Sequence, residues 1–159
     1  MKDELEELIT IGGVTIFTNH DGTYVRFISD LDVCNDGSGP SHNDPSYQSE
    51  TAYYNDGEFL NADKDSYIVI PPQVRSMVPP AVMGCQARVT NQRTKKHFAA
   101  VTGDIGPKNK TGEAAYCLAK KLNSKITHNS GDSRLIYLYE LCPGKPAVVN
   151  GKHYELEPA

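Results

Sequence analysis

The chain has 159 residues and a formal net charge of −4, and 38% of its residues are hydrophobic. This length suits one domain that buries about two thirds of its unfolded surface, so the chain needs neither disulfides nor a metal merely to fold. No apolar run approaches the roughly 18 residues that would indicate a membrane-spanning helix, so we expect no membrane partner.

The first predicted element is a short helix within residues 1–13. Leu5, Leu8 and Ile9 would share one helical face, and the following Gly-Gly pair would end the helix. The segment is acidic where a signal peptide is basic, and it lacks a continuous apolar core. We therefore expect no signal peptide in this chain.

Two strands and a long loop follow. The β-branched and aromatic stretches at 14–18 and 23–29 predict a hairpin across the sequence NHDG. Residues 34–66 are rich in Asn, Asp, Gly, Ser and Pro, which predicts an irregular segment. Loops this long are usually functional or disordered, and the aromatic residues within this one, such as Tyr53 and Phe59, favour an ordered loop.

The same region is strongly acidic. Nine acidic residues and one basic residue, Lys64, lie from Asp30 to Asp65. Such a block repels nucleic acid and favours a cationic partner, so we expect no nucleic-acid partner. The alternative is a solvated acidic loop that only keeps the protein soluble.

The second half of the chain contains more strands. SYIVIPPQV (66–74) predicts a buried strand that ends at its two prolines. CQARVTN (85–91) and KHFAAVTG (96–103) predict a second hairpin. LIYLYEL (135–141) is a further strand, and the last hairpin turns at the Asn-Gly pair of residues 150–151.

One clear helix interrupts these strands. Thr111 is a plausible N-cap, apolar residues recur at helical spacing as far as Leu122, and two lysines lie in the last turn. Many short strands with one or two helices, and neither repeat nor linker, predict a single mainly β domain over residues 1–159. A closed or nearly closed β-barrel is the expected architecture.

Asp104 and Glu113 are the candidate catalytic residues. Asp104 follows a strand and lies between two nearby glycines, which let the backbone turn sharply and a ligand come close. Glu113 lies in the first turn of the predicted helix, so a short loop can aim both carboxylates into one cleft. Hydrolysis of an acetal needs one protonated acid and one ionised base or nucleophile. Considered singly, each residue also fits a common structural role.

Other candidate sites fit the sequence less well. The acids around Asp32 fail the register of a calcium loop because Cys34 would occupy the third position, so no metal site is predicted. The five histidines are scattered without a metal-binding pattern. The four cysteines form no CxxC pair, which leaves two disulfides and four buried thiols both open.

Three sequence motifs resemble those of one enzyme family. The arrangement FAAVTGDIGP…TGEAAYCLAKKL (98–122) resembles the active-site segment of glycoside hydrolase family 75, the endo-chitosanases, which carry a GD…GEAS-like motif followed by a helix. SDLDVCNDG (29–37) is similar to the family's DMDIDCDG-like motif, and LNADKDSYIVIP (60–71) to its ALxAxxxPFIVIP-like strand. The three matches run in the same order and cover most of the chain.

The resemblance implies an endo-acting, inverting hydrolase of the β-1,4 glucosaminyl bonds of chitosan, with catalysis by Asp104 and Glu113. The GD…GE layout also loosely resembles that of the double-psi-barrel lytic transglycosylases, in which the later carboxylate is the acid. We therefore expect a double-psi-like barrel, with Glu113 as general acid and Asp104 as general base. A helix N-terminus would favour the reverse order, because it stabilises an ionised Glu113.

The same resemblance implies that the acidic region binds the substrate. Carboxylates that line a groove can pair with the ammonium groups of chitosan, a cationic polymer. The chain has no Trp for stacking against sugar rings, so we expect Tyr47 to serve, with Tyr53 and Tyr54 as alternatives. The acidic residues to which the resemblance assigns substrate contact are Asp30, Asp32 and Asp36.

Two other functions stay open, namely a peptidoglycan-cleaving enzyme on a related barrel and a non-catalytic carbohydrate-binding domain. For the leading hypothesis we expect chitosan as the partner, a monomeric protein and no cofactor. We also expect extracellular action. Either an export signal was removed earlier, or the protein is released by lysis, as phage enzymes are.

Overall fold

The computed structural model describes residues 4–55 and 57–157. In chain order its strands are β1 (Glu6–Ile11), β2 (Val14–Thr18), β3 (Val25–Cys34), β4 (Tyr54–Asn55), β5 (Glu58–Phe59), β6 (Tyr67–Ile70), β7 (Cys85–Asn91), β8 (His97–Ile105), β9 (Glu113–Ala115), β10 (Asp132–Pro146), β11 (Val148–Val149) and β12 (Lys152–His153). Within this part of the chain the helices are α1 (Pro72–Met77) and α2 (Tyr116–Leu122).

Six of these strands close into a barrel. The order around it is β3-β10-β7-β8-β6-β9, and β9 pairs back with β3 to complete the circle. The β6–β8 and β3–β9 pairs are parallel, whereas the other four pairs are antiparallel. Phe27 and Tyr139, which are fully buried, stack across β3 and β10 with ring centroids 4.9 Å apart. The predicted single mainly β domain with a double-psi-like barrel is confirmed.

The predicted N-terminal helix is wrong. Residues Glu6–Ile11 form β1, which pairs antiparallel with β2, while residues 1–3 of that prediction lie outside the described residues. An isolated helix of two turns is marginal in water, whereas a strand gains backbone hydrogen bonds from its neighbour. The run Ile9, Thr10 and Ile11 is also β-branched, which favours a strand. The predicted hairpin of β2 with β3 is confirmed.

The helix near the C-terminal half begins later than its sequence pattern predicts. Glu113 is the first residue of strand β9, and α2 starts at Tyr116 with Ala115 at its N-cap position, so Thr111 is not the cap. Residues 113–115 pair with β3 on one side and with β6 on the other. These two sets of backbone hydrogen bonds close the barrel, and they outweigh the helical propensity of this segment.

The acidic segment between β3 and β6 is largely irregular apart from the β4–β5 hairpin. Side chains fix its path: the Tyr47 hydroxyl lies 2.7 Å from the Gly37 carbonyl, and the buried Tyr53 donates a hydrogen bond to the Glu155 carbonyl. The hairpin of β7 with β8 and that of β11 with β12 form as predicted. The packing of this loop against the barrel places its acidic residues beside the ends of β3 and β8.

All four cysteines are unpaired thiols, so the thiol alternative describes this structure. Cys34 and Cys85 are buried, and Cys117 and Cys142 are half-buried. No helix among residues 4–55 and 57–157 has the length and apolar character needed to cross a membrane.

Candidate active site

Strand register places four side chains in a row across the barrel wall. Val69 on β6 pairs with Asp104 on β8 and with Glu113 on β9, and Glu113 pairs in turn with Asp32 on β3. Directly paired residues project from the same face of a sheet, so the three carboxylates share one face. Two strand spacings separate Asp104 from Glu113, which puts their backbones about 9.5 Å apart. We call these four residues the strand wall.

The strand wall faces a cavity of about 700 Å³. Residues of two loops, 44–48 and 128–131, line the rest of the cavity. The acidic side chains that line the cavity are Asp32, Asp36, Asp44, Asp104 and Glu113. Lys110 is the one lysine that lines it within the described part of the chain. The cavity is therefore acidic and suits a ligand that carries positive charge.

Asp104 is buried, with 7% of its surface exposed. Its Oδ1 accepts hydrogen bonds from the backbone N–H groups of Ala52 and Ile105, both at 2.9 Å. Its Oδ2 faces the Cys34 thiol at 4.0 Å. Burial raises the pKa of Asp104 to about 6, although the two backbone donors oppose the rise. These donors stabilise the ionised carboxylate, which is the form that a base needs.

Glu113 has a different environment. No group in residues 4–55 or 57–157 donates a hydrogen bond to its carboxyl. Burial raises its pKa to about 7; Lys110 opposes the rise, and the neighbouring carboxylates add to it. A β-carbon built on Gly106 would lie 3.2 Å from Glu113 Oε1, so the glycine leaves room for this carboxyl. Glu113 therefore holds its proton more readily than Asp104 does.

Asp36 and Asp32 complete the acidic set. Asp36 accepts a hydrogen bond from the Gln48 backbone N–H at 2.8 Å, and burial raises its pKa. Asp32 forms an ion pair with Lys110, in which Nζ lies 2.6 Å from Oδ2. The sequence pattern did not indicate Lys110, because no motif links it to Asp32 at a distance of 78 residues.

The other two predicted substrate-binding residues, Asp30 and Tyr47, are not among the residues that line the cavity. The Asp30 side chain lies against Gly112, beneath the start of β9, and is not among the residues that line the cavity. Tyr47 also lies outside the lining, with its hydroxyl beside the carbonyls of Gly37 and Gly39. Their contact with substrate stays a prediction. Of the two alternative aromatic residues, Tyr53 is buried and Tyr54 packs on Phe59.

A histidine pair joins the loops that lie beside the cavity. His42 Nε2 lies 2.7 Å from Asp63 Oδ2, and His128 Nε2 lies 2.9 Å from Asp63 Oδ1. The two imidazoles stack with centroids 3.4 Å apart, and Tyr116 stacks on the far face of His128 at 3.5 Å. We call this set, with the loops 41–46 and 126–131 that it joins, the loop wall. Sequence reasoning missed it because the three polar residues are far apart in the chain.

Two groups of side chains have the ligand atoms that a metal ion would need, all within 4.8 Å of one another. In the loop wall the imidazole planes are nearly parallel, at 17°, so their nitrogens point side by side toward one carboxylate rather than converging on a point. This geometry is that of hydrogen bonding. In the second group, Cys34, Asp36 and Asp104, the Cys34 thiol faces Asp104 Oδ2 at 4.0 Å.

The strand wall can perform acid/base chemistry. It presents two carboxyls, of which Asp104 accepts two backbone hydrogen bonds and Glu113 has no donor among the described residues. The two project from strands on either side of Val69. Both carboxyls line the same cavity. An acetal placed there could receive a proton from one side and a water from the other.

Comparison with known proteins agrees with the family resemblance of the sequence motifs. A model of the family described as fungal chitosanase of glycosyl hydrolase group 75 matches residues 29–157. No curated protein matches the chain. The matched range contains all the side chains of the strand wall and all of the barrel strands except the first four residues of β3. The chain therefore belongs to glycoside hydrolase family 75 and is a chitosanase-type glycoside hydrolase.

Proposed function

We propose that this protein is an endo-acting chitosanase that cleaves β-1,4 glucosaminyl bonds with inversion, with Glu113 as general acid and Asp104 as general base. The observation that carries the proposal is the unequal hydrogen bonding of the two carboxyls. Asp104 accepts two backbone hydrogen bonds, whereas no described group donates one to Glu113. Environments that separate a pair of carboxyls in this way assign the acid and the base.

The catalytic step follows from these environments. Glu113 donates its proton to the glycosidic oxygen as the bond to the leaving sugar breaks. Asp104 accepts a proton from a water that attacks the anomeric carbon from the opposite face. Inverting enzymes leave about 6.5–9.5 Å between the two carboxyls for that water. The spacing of about 9.5 Å between the backbones of β8 and β9 is compatible with this range.

The acidic lining of the cavity supports a cationic sugar chain as substrate. Asp36 and Asp44 extend the row of carboxylates beyond the two catalytic groups, toward the loop wall. Each can pair with a glucosamine ammonium. Peptidoglycan carries carboxylates of its own, which this lining would repel. Chitosan is an extracellular polymer, so we propose that the protein acts outside the cell.

The test is incubation with chitosans of graded acetylation and with peptidoglycan, followed by mass analysis of the products. We expect soluble oligomers of intermediate length from chitosan and none from peptidoglycan. Proton NMR of fresh product should show the α-anomer first, because inversion converts a β-linkage. An initial β-anomer would refute inversion, and release of single sugars alone would refute the endo mode.

Variants separate catalysis from binding. Asp104→Ala and Glu113→Ala should each lower kcat by about 10²- to 10⁴-fold. Glu58→Ala, which removes an exposed carboxylate from the β4–β5 hairpin, is the matched control and should keep full activity. If both strand-wall variants remain fully active, the catalytic assignment is wrong. If the wild type binds chitosan without cleaving it, the domain is a binding module.

The activity should depend on pH in a bell-shaped manner. The base must be ionised, so kcat/KM should rise as pH increases through about 6, the pKa of Asp104. The acid must be protonated, so kcat/KM should fall as pH increases through about 7, the pKa of Glu113. The two limbs lie close together and give a narrow optimum, which initial rates across this pH range would measure.

A further inference from the structure

Lys110 and Asp32 form an ion pair beside the proposed general acid. Lys110 Nζ lies 2.6 Å from Asp32 Oδ2, and the two side chains are 44% and 31% exposed. Asp32 is also the direct cross-strand partner of Glu113 in the parallel β3–β9 pair. The lysine therefore reaches over the same part of the strand wall from the loop that connects β8 to β9.

We propose that Asp32 and Lys110 act as a positioning pair for Glu113, in which the two opposite charges balance beside its carboxyl and keep it able both to hold and to release a proton. The proposal rests on the role of Glu113 as general acid. It gives Asp32 a second role besides the substrate contact predicted for it. Neither side chain needs to touch the reacting atoms for this purpose.

The backbone around the pair holds it in place. The Asp32 N–H donates a hydrogen bond to the Gly112 carbonyl at 2.7 Å, which ties β3 to the residue before Glu113. The Gln73 side chain of α1 donates to the Lys108 carbonyl at 2.8 Å, which anchors the lysine's loop. Because its loop is anchored, the flexible Lys110 side chain keeps its charge near the carboxyls of Asp32 and Glu113.

The charges that face Glu113 explain why a balanced pair is needed. Asp32 on β3, Asp104 on β8 and Asp36 after β3 all disfavour its ionisation, and Lys110 is the cation that opposes them. Without Lys110, three carboxylates would hold the proton too tightly for transfer to a leaving group. Without Asp32, the lysine would stabilise the ionised form, and the acid would lose its proton at a lower pH.

The test uses variants that remove charge and two titration measurements. The variants are Lys110→Gln, Asp32→Asn, the double variant that combines them, and Lys108→Gln, which removes a lysine from the same loop as a matched control. Carbon-13 NMR of the Glu113 carboxyl, recorded against pH in the full-length protein without substrate, gives its titration midpoint. The alkaline limb of kcat/KM on one soluble chitosan gives the same quantity during turnover.

We expect opposite shifts from the two single variants. Lys110→Gln should move the Glu113 midpoint upward by about one pH unit, and Asp32→Asn should move it downward by a similar amount. The double variant should return close to the wild type, and Lys108→Gln should not differ from it. A purely structural role would move the melting temperature without this pattern, so thermal unfolding is recorded for each variant. Lys110→Arg, which keeps the charge, should retain the wild-type midpoint.

Two results would overturn the proposal. If the midpoint stays within 0.2 pH units of wild type in both single variants, or if both move in one direction, the pair does not control Glu113. The NMR measurement needs no turnover, so it is independent of the proposed function. If the midpoints shift as expected but kcat/KM ignores them, Glu113 is not the acid, and the fault lies in the proposed function rather than in the charge pair.

Discussion

The two walls of the cavity use carboxylates in opposite ways. On the strand wall, burial raises the pKa values of Asp104 and Glu113 to about 6 and about 7. On the loop wall, burial also acts on Asp63, but the hydrogen bonds from His42 and His128 outweigh it and lower its pKa. The strand wall therefore disfavours the ionised form of its two carboxyls. The loop wall favours the ionised form of Asp63, which in turn stabilises the contacts around it.

This difference fits the separate roles that we propose for the two walls, namely proton transfer on the strand wall and structural stabilisation on the loop wall. A carboxyl can exchange protons near neutral pH only if its ionised form is disfavoured, and that arrangement costs folding free energy. The barrel tolerates the cost because strand register, rather than the carboxyls, fixes the strand wall. The loop wall has no such register, so hydrogen bonds and ring stacking fix it instead. The predictions below test each wall separately.

The largest effect is expected where the strand wall depends on a glycine. Gly112 has a φ of +87°, and a β-carbon there would lie 2.5 Å from Ser29 Oγ and 2.7 Å from the Asp30 carbonyl oxygen. Gly112→Ala should destabilise the protein by about 3 kcal/mol, from backbone strain and overpacking together. Gly151→Ala has a similar φ of +82° with open space around it, and it should cost about 1 kcal/mol. Urea unfolding measures both, and equal losses would show that crowding beneath β9 is unimportant.

The sequence predicted that Asp104 and Glu113 lie at one cleft, and both line the same cavity, whereas their catalytic role stays a prediction. Their position could be predicted because glycines and a local motif surround each of them. The same local information assigned Glu113 to a helix, since nothing in residues 111–122 reveals that distant β3 and β6 pair with them. The wrong prediction at the N-terminus has a different cause, because β1 pairs with β2 and only two residues lie between these strands. There the spacing of Leu5, Leu8 and Ile9 fits a helical face, although the segment forms a local hairpin. Distant pairing partners therefore decide β9 but not β1.

The loop wall and the ion pair could not be found from the sequence at all. Asp63 is 21 residues from His42 and 65 from His128, and isolated histidines of this kind are usually surface residues. The acidic block was recognised as a feature, but its members differ in role. Asp36 and Asp44 line the cavity, whereas Asp63 and Asp65 bond to other side chains of the protein.

The next largest effect is expected from Glu113→Gln on the strand wall, where stability and activity should change in opposite directions. Glu113 is protonated in both the folded and the unfolded protein at pH 4, but at pH 8 it is ionised in both, at a cost to the folded form. Stability is therefore lost as pH rises from about 4.5 through about 7. Glu113→Gln should abolish most activity yet raise the free energy of unfolding at pH 8 by on the order of 1–2 kcal/mol. No gain at pH 8 relative to pH 4 would contradict the raised pKa.

On the loop wall, replacing a carboxylate by its amide should lower the free energy of unfolding rather than raise it. The lowered pKa of Asp63 means that its contribution is present above the ordinary carboxyl range and is lost as pH falls through the folded-state value. Asp63→Asn should destabilise the protein by about 1 kcal/mol at neutral pH, a modest figure because its side chain is partly exposed. Loosening of the loop wall should also raise KM a few-fold with kcat nearly unchanged. Glu58→Gln, at an exposed site, is the control and should change neither quantity.

The smallest effect concerns Tyr47, whose hydroxyl lies 2.7 Å and 2.9 Å from two loop carbonyls. Because that hydroxyl is already engaged, a contact with sugar would have to use the ring face. Tyr47→Phe should therefore cost about 0.5–1 kcal/mol of stability and leave KM unchanged, whereas Tyr47→Ala should raise KM several-fold. Thermal unfolding and steady-state kinetics on chitosan measure both. A rise in KM with Tyr47→Phe would show that the hydroxyl reaches the substrate, and an unchanged KM with Tyr47→Ala would assign Tyr47 to the loop alone.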